Sequence, residues 1–206
     1  MSSSHQKGTL EVICGSMFSG KSEELIRRLH RSEIAQRNVL AFKHSLDDRM
    51  LIEYIVSHNG KKLKAFATEH PSTILELTGP QVDVVGIDEV QFFDTSIIQT
   101  IIQLITMGKH VIVAGLDLDF RGIPFGAIPT LMAIANTVTK LTAICVQCGA
   151  DAHFTQRLVN GKPAKYADPV ILVGAQEAYQ ARCRNCHSID QTEYDFNENK
   201  KLIQLQ

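Results

Sequence analysis

The stretch Leu10-Glu11-Val12-Ile13-Cys14-Gly15-Ser16-Met17-Phe18-Ser19-Gly20-Lys21-Ser22 decides the architecture of this chain. Residues 10–14 are a short apolar run, and residues 15–22 satisfy G-x-x-x-x-G-K-[ST] at every fixed position. From Ser22 to Arg37, Leu25, Ile26 and Leu29 recur at helical spacing. A strand, a glycine loop and an amphipathic helix in this order make a phosphate-binding loop. The glycines allow a tight turn whose N–H groups point inward, and the helix that follows aims its positive end at the same spot. Lys21 adds a compact positive charge for β- and γ-phosphates, and the Ser22 hydroxyl suits a Mg2+ ligand.

Working outward, strand-like and helix-like segments alternate over the first ~140 residues, which predicts an α/β fold with a parallel sheet. Asn38 to Lys43 reads as a strand, whereas the polar residues 44–60, with Asp47-Asp48-Arg49 and His58-Asn59-Gly60, read as loop. Val82 to Ile87 and His110 to Ala114 are apolar enough to be buried on both faces. Between them Ile97, Ile98, Ile101, Ile102 and Ile105 mark a helix, with Gly108 as its C-terminal cap. Asp88 and Glu89 close the first of these strands, where parallel sheets present ligand-binding groups. Asp88 is placed to hold Mg2+, directly or through water, and Glu89 to face the acceptor of a transferred group.

Beyond residue 140 the texture changes to short pieces and turn signals without a helix. Cys145-x-x-Cys148 and Cys183-x-x-Cys186 supply four thiolates, a closed set for structural Zn2+ that clamps the base of a long loop. His187, directly after Cys186, reads as a neighbour of the metal or a solvated side chain rather than a ligand. Cys14, alone in its apolar run, reads as a small buried hydrophobe. The expected organisation is a nucleotide-binding α/β unit over 9–142, a zinc lobe over 143–190, and flexible tails at 1–8 and 191–206.

With 206 residues there is room for one core and a small appendage. The net charge of −1 gives no global attraction to nucleic acid or an anionic membrane. No run approaches the roughly 18 apolar residues of a membrane span, and paired thiols suit a reducing, cytoplasmic setting. The competing reading is a zinc-ribbon ATPase that grips nucleic acid. Its basic residues in this lobe, Arg157, Lys162, Lys165, Arg182 and Arg184, are scattered rather than striped.

Four segments in order resemble the cytosolic, zinc-containing thymidine kinases. They are the loop with Met17-Phe18-Ser19, Ile87-Asp88-Glu89-Val90-Gln91-Phe92-Phe93, Gly115-Leu116-Asp117-Leu118-Asp119-Phe120-Arg121-Gly122, and the two cysteine pairs. The fold implied is a P-loop NTPase-like parallel sheet flanked by helices, with a C-terminal zinc lobe carrying a lasso loop. The resemblance implies transfer of the ATP γ-phosphoryl to the 5′-hydroxyl of thymidine, giving ADP and thymidine monophosphate, with Glu89 as the base. Gly15, Ser16, Met17, Phe18, Ser19, Gly20, Lys21 and Ser22 match the phosphate loop, and Asp88, Glu89, Val90 and Gln91 a second nucleotide-side segment. Asp47 and Arg49 match a loop contributing to ATP binding, followed here by Met50 where many relatives carry Tyr. Arg49 and Arg121 are candidates to add positive charge. Phe120 matches the aromatic that packs on thymine. Val170, Ile171, Leu172, Val173, Gly174 and Tyr179 match the lasso that covers the nucleoside. A homotetramer and inhibition by thymidine triphosphate are implied as well.

Overall fold

The computed structural model describes residues 7–45, 52–56, 60, 62–171 and 177–191. Asp47, Arg49, Met50, Leu172, Val173 and Gly174 lie outside the described residues, as do most of the two expected tails. Among the described residues no helix is long and apolar enough to cross a membrane.

The apolar run at the start becomes β1 (Thr9–Gly15), and the helical repeat after the glycine loop becomes α1 (Lys21–Ile34). Three further runs form β2 (Val39–His44), β5 (Val84–Asp88) and β6 (His110–Gly115). The isoleucine-rich segment is α3 (Ser96–Thr106), ended by Gly108 at φ +82°. With β3 (Ile52–Val56), β4 (Lys62–Thr68) and β7 (Thr137–Leu141) the strands make one seven-stranded sheet, ordered β3-β4-β2-β5-β6-β1-β7. All neighbours pair parallel except β3 with β4. This is the mixed α/β architecture, mostly parallel and flanked by helices, that the sequence predicts.

Period-two alternation divides the core between the sheet's two faces. Leu10, Val12, Val85, Ile87, Val111 and Val113 pack with Ile97, Ile101 and Leu104 of α3, and with Ile128 and Leu131 of α4 (Ile128–Ile134). Ile13, Ala41, Val84 and Ile112 pack on the other face against Leu25, Ile26 and Leu29 of α1. The turn register therefore delivers residues 15, 88 and 115 to one end of three adjacent strands, β5, β6 and β1.

Part of the expected loop over 44–60 is corrected by this sheet. β3 forms an antiparallel edge, because Ile55 turns into the core beside α1 while Tyr54 and Val56 stay exposed. One inward residue among the three of this edge strand whose burial is described leaves little pattern to read. The segment 143–182 builds separate small sheets: β8 (Ala143–Ile144) with β9 (Asp151–Ala152), and β11 (Lys162–Pro163), β10 (Phe154–Val159) and β12 (Glu177–Arg182) in that order.

Candidate functional site

The loop after β1 is closed by its own sequence. At Gly15, with φ +143°, a Cβ would overlap the Leu141 carbonyl, so only glycine fits. Ser19 Oγ and Lys21 Nζ both donate to the Ser16 carbonyl at 2.8 Å. Burial pushes the Lys21 amine below its ordinary pKa, while Glu89, Asp88 and Asp117 pull it back up. Lys21 is thus a desolvated cation facing acids from two other strand ends.

Ser22, on the first turn of α1, hydrogen-bonds the Asp88 carboxylate, which also accepts the Glu89 N–H at 3.0 Å. Asp88 is buried, and that burial, with the adjacent Glu89 charge, raises its carboxyl to about 7. A hydroxyl and a desolvated carboxylate held together are a donor set that fits a divalent cation, since the cation would relieve the buried charge.

Glu89 has a left-handed backbone at φ +53° and starts a single 3-10 turn over Val90–Phe92. The conformation costs about 1–2 kcal/mol for a residue with a Cβ. It lets the chain leave the strand sharply, so the half-buried Glu89 side chain faces the cavity. Val90 turns into the apolar core instead. Gln91 is also buried; its Nε2 donates to Glu89 Oε2 at 2.6 Å and its Oε1 accepts the Leu116 N–H at 3.0 Å. Neither Val90 nor Gln91 lines the cavity.

Phe120 is set by the turn that follows β6. Asp119 Oδ1 accepts the backbone N–H groups of Arg121 and Ile123 at 2.8 and 3.1 Å. Its Oδ2 accepts the Arg121 guanidinium at 2.9 and 2.7 Å. Arg121, a candidate for phosphate charge, is thereby engaged by Asp119 and lies 5.4 Å from the Tyr166 ring, outside the cavity lining. The Arg157 guanidinium lies 5.0 Å from the Phe120 ring and donates to the Pro169 carbonyl at 2.5 Å, tying this aromatic to the start of the expected lasso.

One cavity of about 630 Å³ brings together Lys21, Ser22, Glu89, Phe120, Val170 and Tyr179. Met17, Phe18 and Gly20 also line it, whereas Gly15, Ser16, Ser19, Asp88 and Ile171 do not. Phe92, Leu116, Phe125 and Thr155 line it too, and sequence reasoning did not single them out. Phe92 and Leu116 sit inside quoted motifs, so their position was a usable signal. Phe125 and Thr155 carry none.

The Sγ atoms of Cys145, Cys148, Cys183 and Cys186 all lie within 4.8 Å of one another, and Cys148 and Cys183 are 3.6 Å apart. Bonds of 2.3 Å in a tetrahedron require sulfurs about 3.8 Å apart, so the quartet is compatible with structural zinc. His187 departs from the solvated alternative. Its ring stacks on Phe154 at 4.9 Å, its Nε2 meets the Phe120 carbonyl at 2.8 Å, and burial lowers its pKa. The apolar Phe154 face draws the ring away from water. The same lobe touches the phosphate loop: Ser16 Oγ donates to the Ala152 carbonyl at 3.3 Å, and the Met17 N–H to Thr155 Oγ1 at 3.0 Å.

Among known protein families, the family model described as thymidine kinase matches residues 8–187.

Proposed function

The chain belongs to the thymidine kinase family, a kinase that uses ATP to phosphorylate thymidine, and we propose that Glu89 is its catalytic base. The observation carrying this reading is that a single cavity is lined by Lys21 and Ser22 of the phosphate loop, the Glu89 side chain and the Phe120 aromatic. Phosphoryl transfer needs positioning and charge neutralisation more than covalent help. Glu89 takes the proton of the 5′-hydroxyl. Lys21 and the amides of residues 15–22 hold the donor phosphates, and the 88–91 segment borders them through Asp88 and Glu89, with Val90 and Gln91 behind the cavity wall. Ser22 and Asp88 would hold Mg2+, which when bound neutralises triphosphate charge. Asp47 and Arg49 belong to the donor side by family likeness.

Phe120, Tyr179 and Val170 supply apolar surface for a flat base, and residues 170–174 close over the nucleoside. We read 9–142 as the nucleotide-binding unit and 143–190 as a lobe stapled by structural zinc. Inhibition by thymidine triphosphate belongs to the same proposal, supported by family likeness and by a cavity lined by both phosphate-loop residues and Phe120. The homotetramer rests on family likeness, and the cytoplasmic setting on a thiol quartet that needs reducing conditions.

Glu89→Gln keeps the shape and removes the base. We expect kcat for thymidine monophosphate formation to fall about 10²–10⁴-fold, with ATP affinity by calorimetry nearly unchanged. Wild-type turnover in that variant takes the role away from Glu89.

A further inference from the structure

We infer that Gln91 is a positioning residue for the reaction: its side-chain amide fixes which oxygen of Glu89 meets the acceptor hydroxyl. The inference rests on the reading of Glu89 as base.

The orientation of the Gln91 amide is set by its partners. The Leu116 group that faces the amide is its main-chain N–H, which can only donate, so the Gln91 atom 3.0 Å away must be the oxygen. The amide nitrogen then points at Glu89 Oε2, 2.6 Å away, and donates to it. A donor facing an ionised acceptor makes one of the stronger hydrogen bonds available to a side chain.

Gln91 is itself clamped. A Cβ at Gly115 would overlap Gln91 Oε1, and a Cβ at Gly126, where φ is +54°, would overlap its carbonyl oxygen. Gly115 therefore gives main chain close access to the Gln91 side chain, and Gly126 gives it to the Gln91 backbone. The Glu89 backbone is left-handed, a conformation that persists only where the surroundings over-determine it. Three contacts do so: the Glu89 N–H on Asp88 Oδ1, the Phe92 N–H on the Glu89 carbonyl, and the Gln91 amide on the carboxylate.

With Oε2 taken by the amide, Oε1 is the oxygen left for the substrate. In the transfer the O5′–H bond breaks and an Oε1–H bond forms. The electron pair released on O5′ forms the bond to phosphorus, as the bond to the leaving ADP oxygen breaks. The amide stays on Oε2 throughout, so the carboxyl does not swing as it gains the proton. Among the described residues, the charged or titratable groups whose fields meet Glu89 include Lys21 from α1, Asp88 from β5 and His44 from β2, and Glu23 and Asp119 line the same cavity.

Two substitutions test this. Gln91→Glu keeps the length and the acceptor for Leu116 but replaces the donor with an oxygen; Gln91→Met removes both polar functions. We expect kcat at neutral pH to fall about 10–100-fold in both, with KM for ATP and for thymidine within about threefold of wild type. In Gln91→Glu the optimum moves to lower pH, because a proton shared by the two carboxyls restores a donor; Gln91→Met shows no such recovery. Wild-type kcat in Gln91→Glu, or a loss that is flat with pH and raises both KM values together, overturns the inference. Glu89→Gln runs alongside. If it is inactive while Gln91→Glu is unimpaired, only the positioning role falls; if Glu89→Gln is itself active, the base assignment falls first. Should Gln91→Met fail to fold, the pH optimum of Gln91→Glu decides alone.

Discussion

At the end of β5, Asp88 is buried, and burial followed by the neighbouring Glu89 charge raises its carboxyl to about 7 from an ordinary 3.8. The Ser22 hydroxyl, the Glu89 amide and Lys21 act in the opposite direction without winning. A raised folded pKa makes the group's contribution most favourable at low pH. Below pH 3.8 both the folded and the unfolded chain keep the proton. Between there and about 7 the unfolded chain releases a proton that the fold retains, so stability falls as pH rises. Above that the full cost applies, on the order of 4 kcal/mol. Asp88→Asn should therefore raise the unfolding midpoint of the nucleotide- and metal-free protein at pH 8, with the gain fading toward pH 4, while phosphorylation is lost. Scanning calorimetry at the two pH values checks this; an equal gain at both would mean that charge is not the cause.

Lys109 plays the corresponding part for an element. It leaves the end of α3 just before β6, and its Nζ donates to the carbonyls of Gly79, Pro80 and Val82 at 3.1, 3.0 and 2.6 Å. One buried ammonium thus closes the turn between α2 (Pro71–Leu77) and β5, the strand that presents Asp88. Lys109→Met should cost about 2–4 kcal/mol in urea unfolding, because it strands carbonyls already out of water. KM for either substrate should stay unchanged; a shifted KM would mean that the turn reaches the site. These connecting elements are also where the sequence was hardest to read. α2 and α4 are seven residues each, with proline in the first turn, too short for a helical repeat to stand out. The Lys-Leu-Lys-Ala-Phe-Ala alternation of β4 was visible in principle, but its partner β3 contributes a single fully inward residue, Ile55, among those whose burial is described.

For the whole molecule the decisive contacts run between the cysteine lobe and the main sheet. Ala152 and Thr155 take hydrogen bonds from Ser16 and Met17 of the phosphate loop, and His187 reaches the Phe120 carbonyl. Order imposed by four thiolates therefore extends to the donor loop and to the aromatic of the cavity. Chelating zinc should lower thymidine phosphorylation at least about tenfold, as metal binding and folding of the lobe are coupled. Hydrogen exchange should quicken at 145–157, 177–187 and the Met17 amide, while β1, β5 and β6 stay protected. Full turnover in protein shown metal-free by elemental analysis would exclude that coupling.

Local chemistry made the phosphate loop, the buried strands β1, β5 and β6, and the cysteine pairs legible in the sequence. A phosphate cradle needs glycine and lysine at fixed offsets, a strand buried on both faces needs an unbroken apolar run, and a thiolate site needs close pairs. Which side chains then meet was left to tertiary structure. Met17 and Thr155 are 138 residues apart, and Gln91 reaches Leu116 across 25. No periodicity encodes such distances. They follow from the strand order that sets β5, β6 and β1 side by side, and from the left-handed turn at Glu89 that sends Val90 into the core while Gln91 reaches back to the carboxylate.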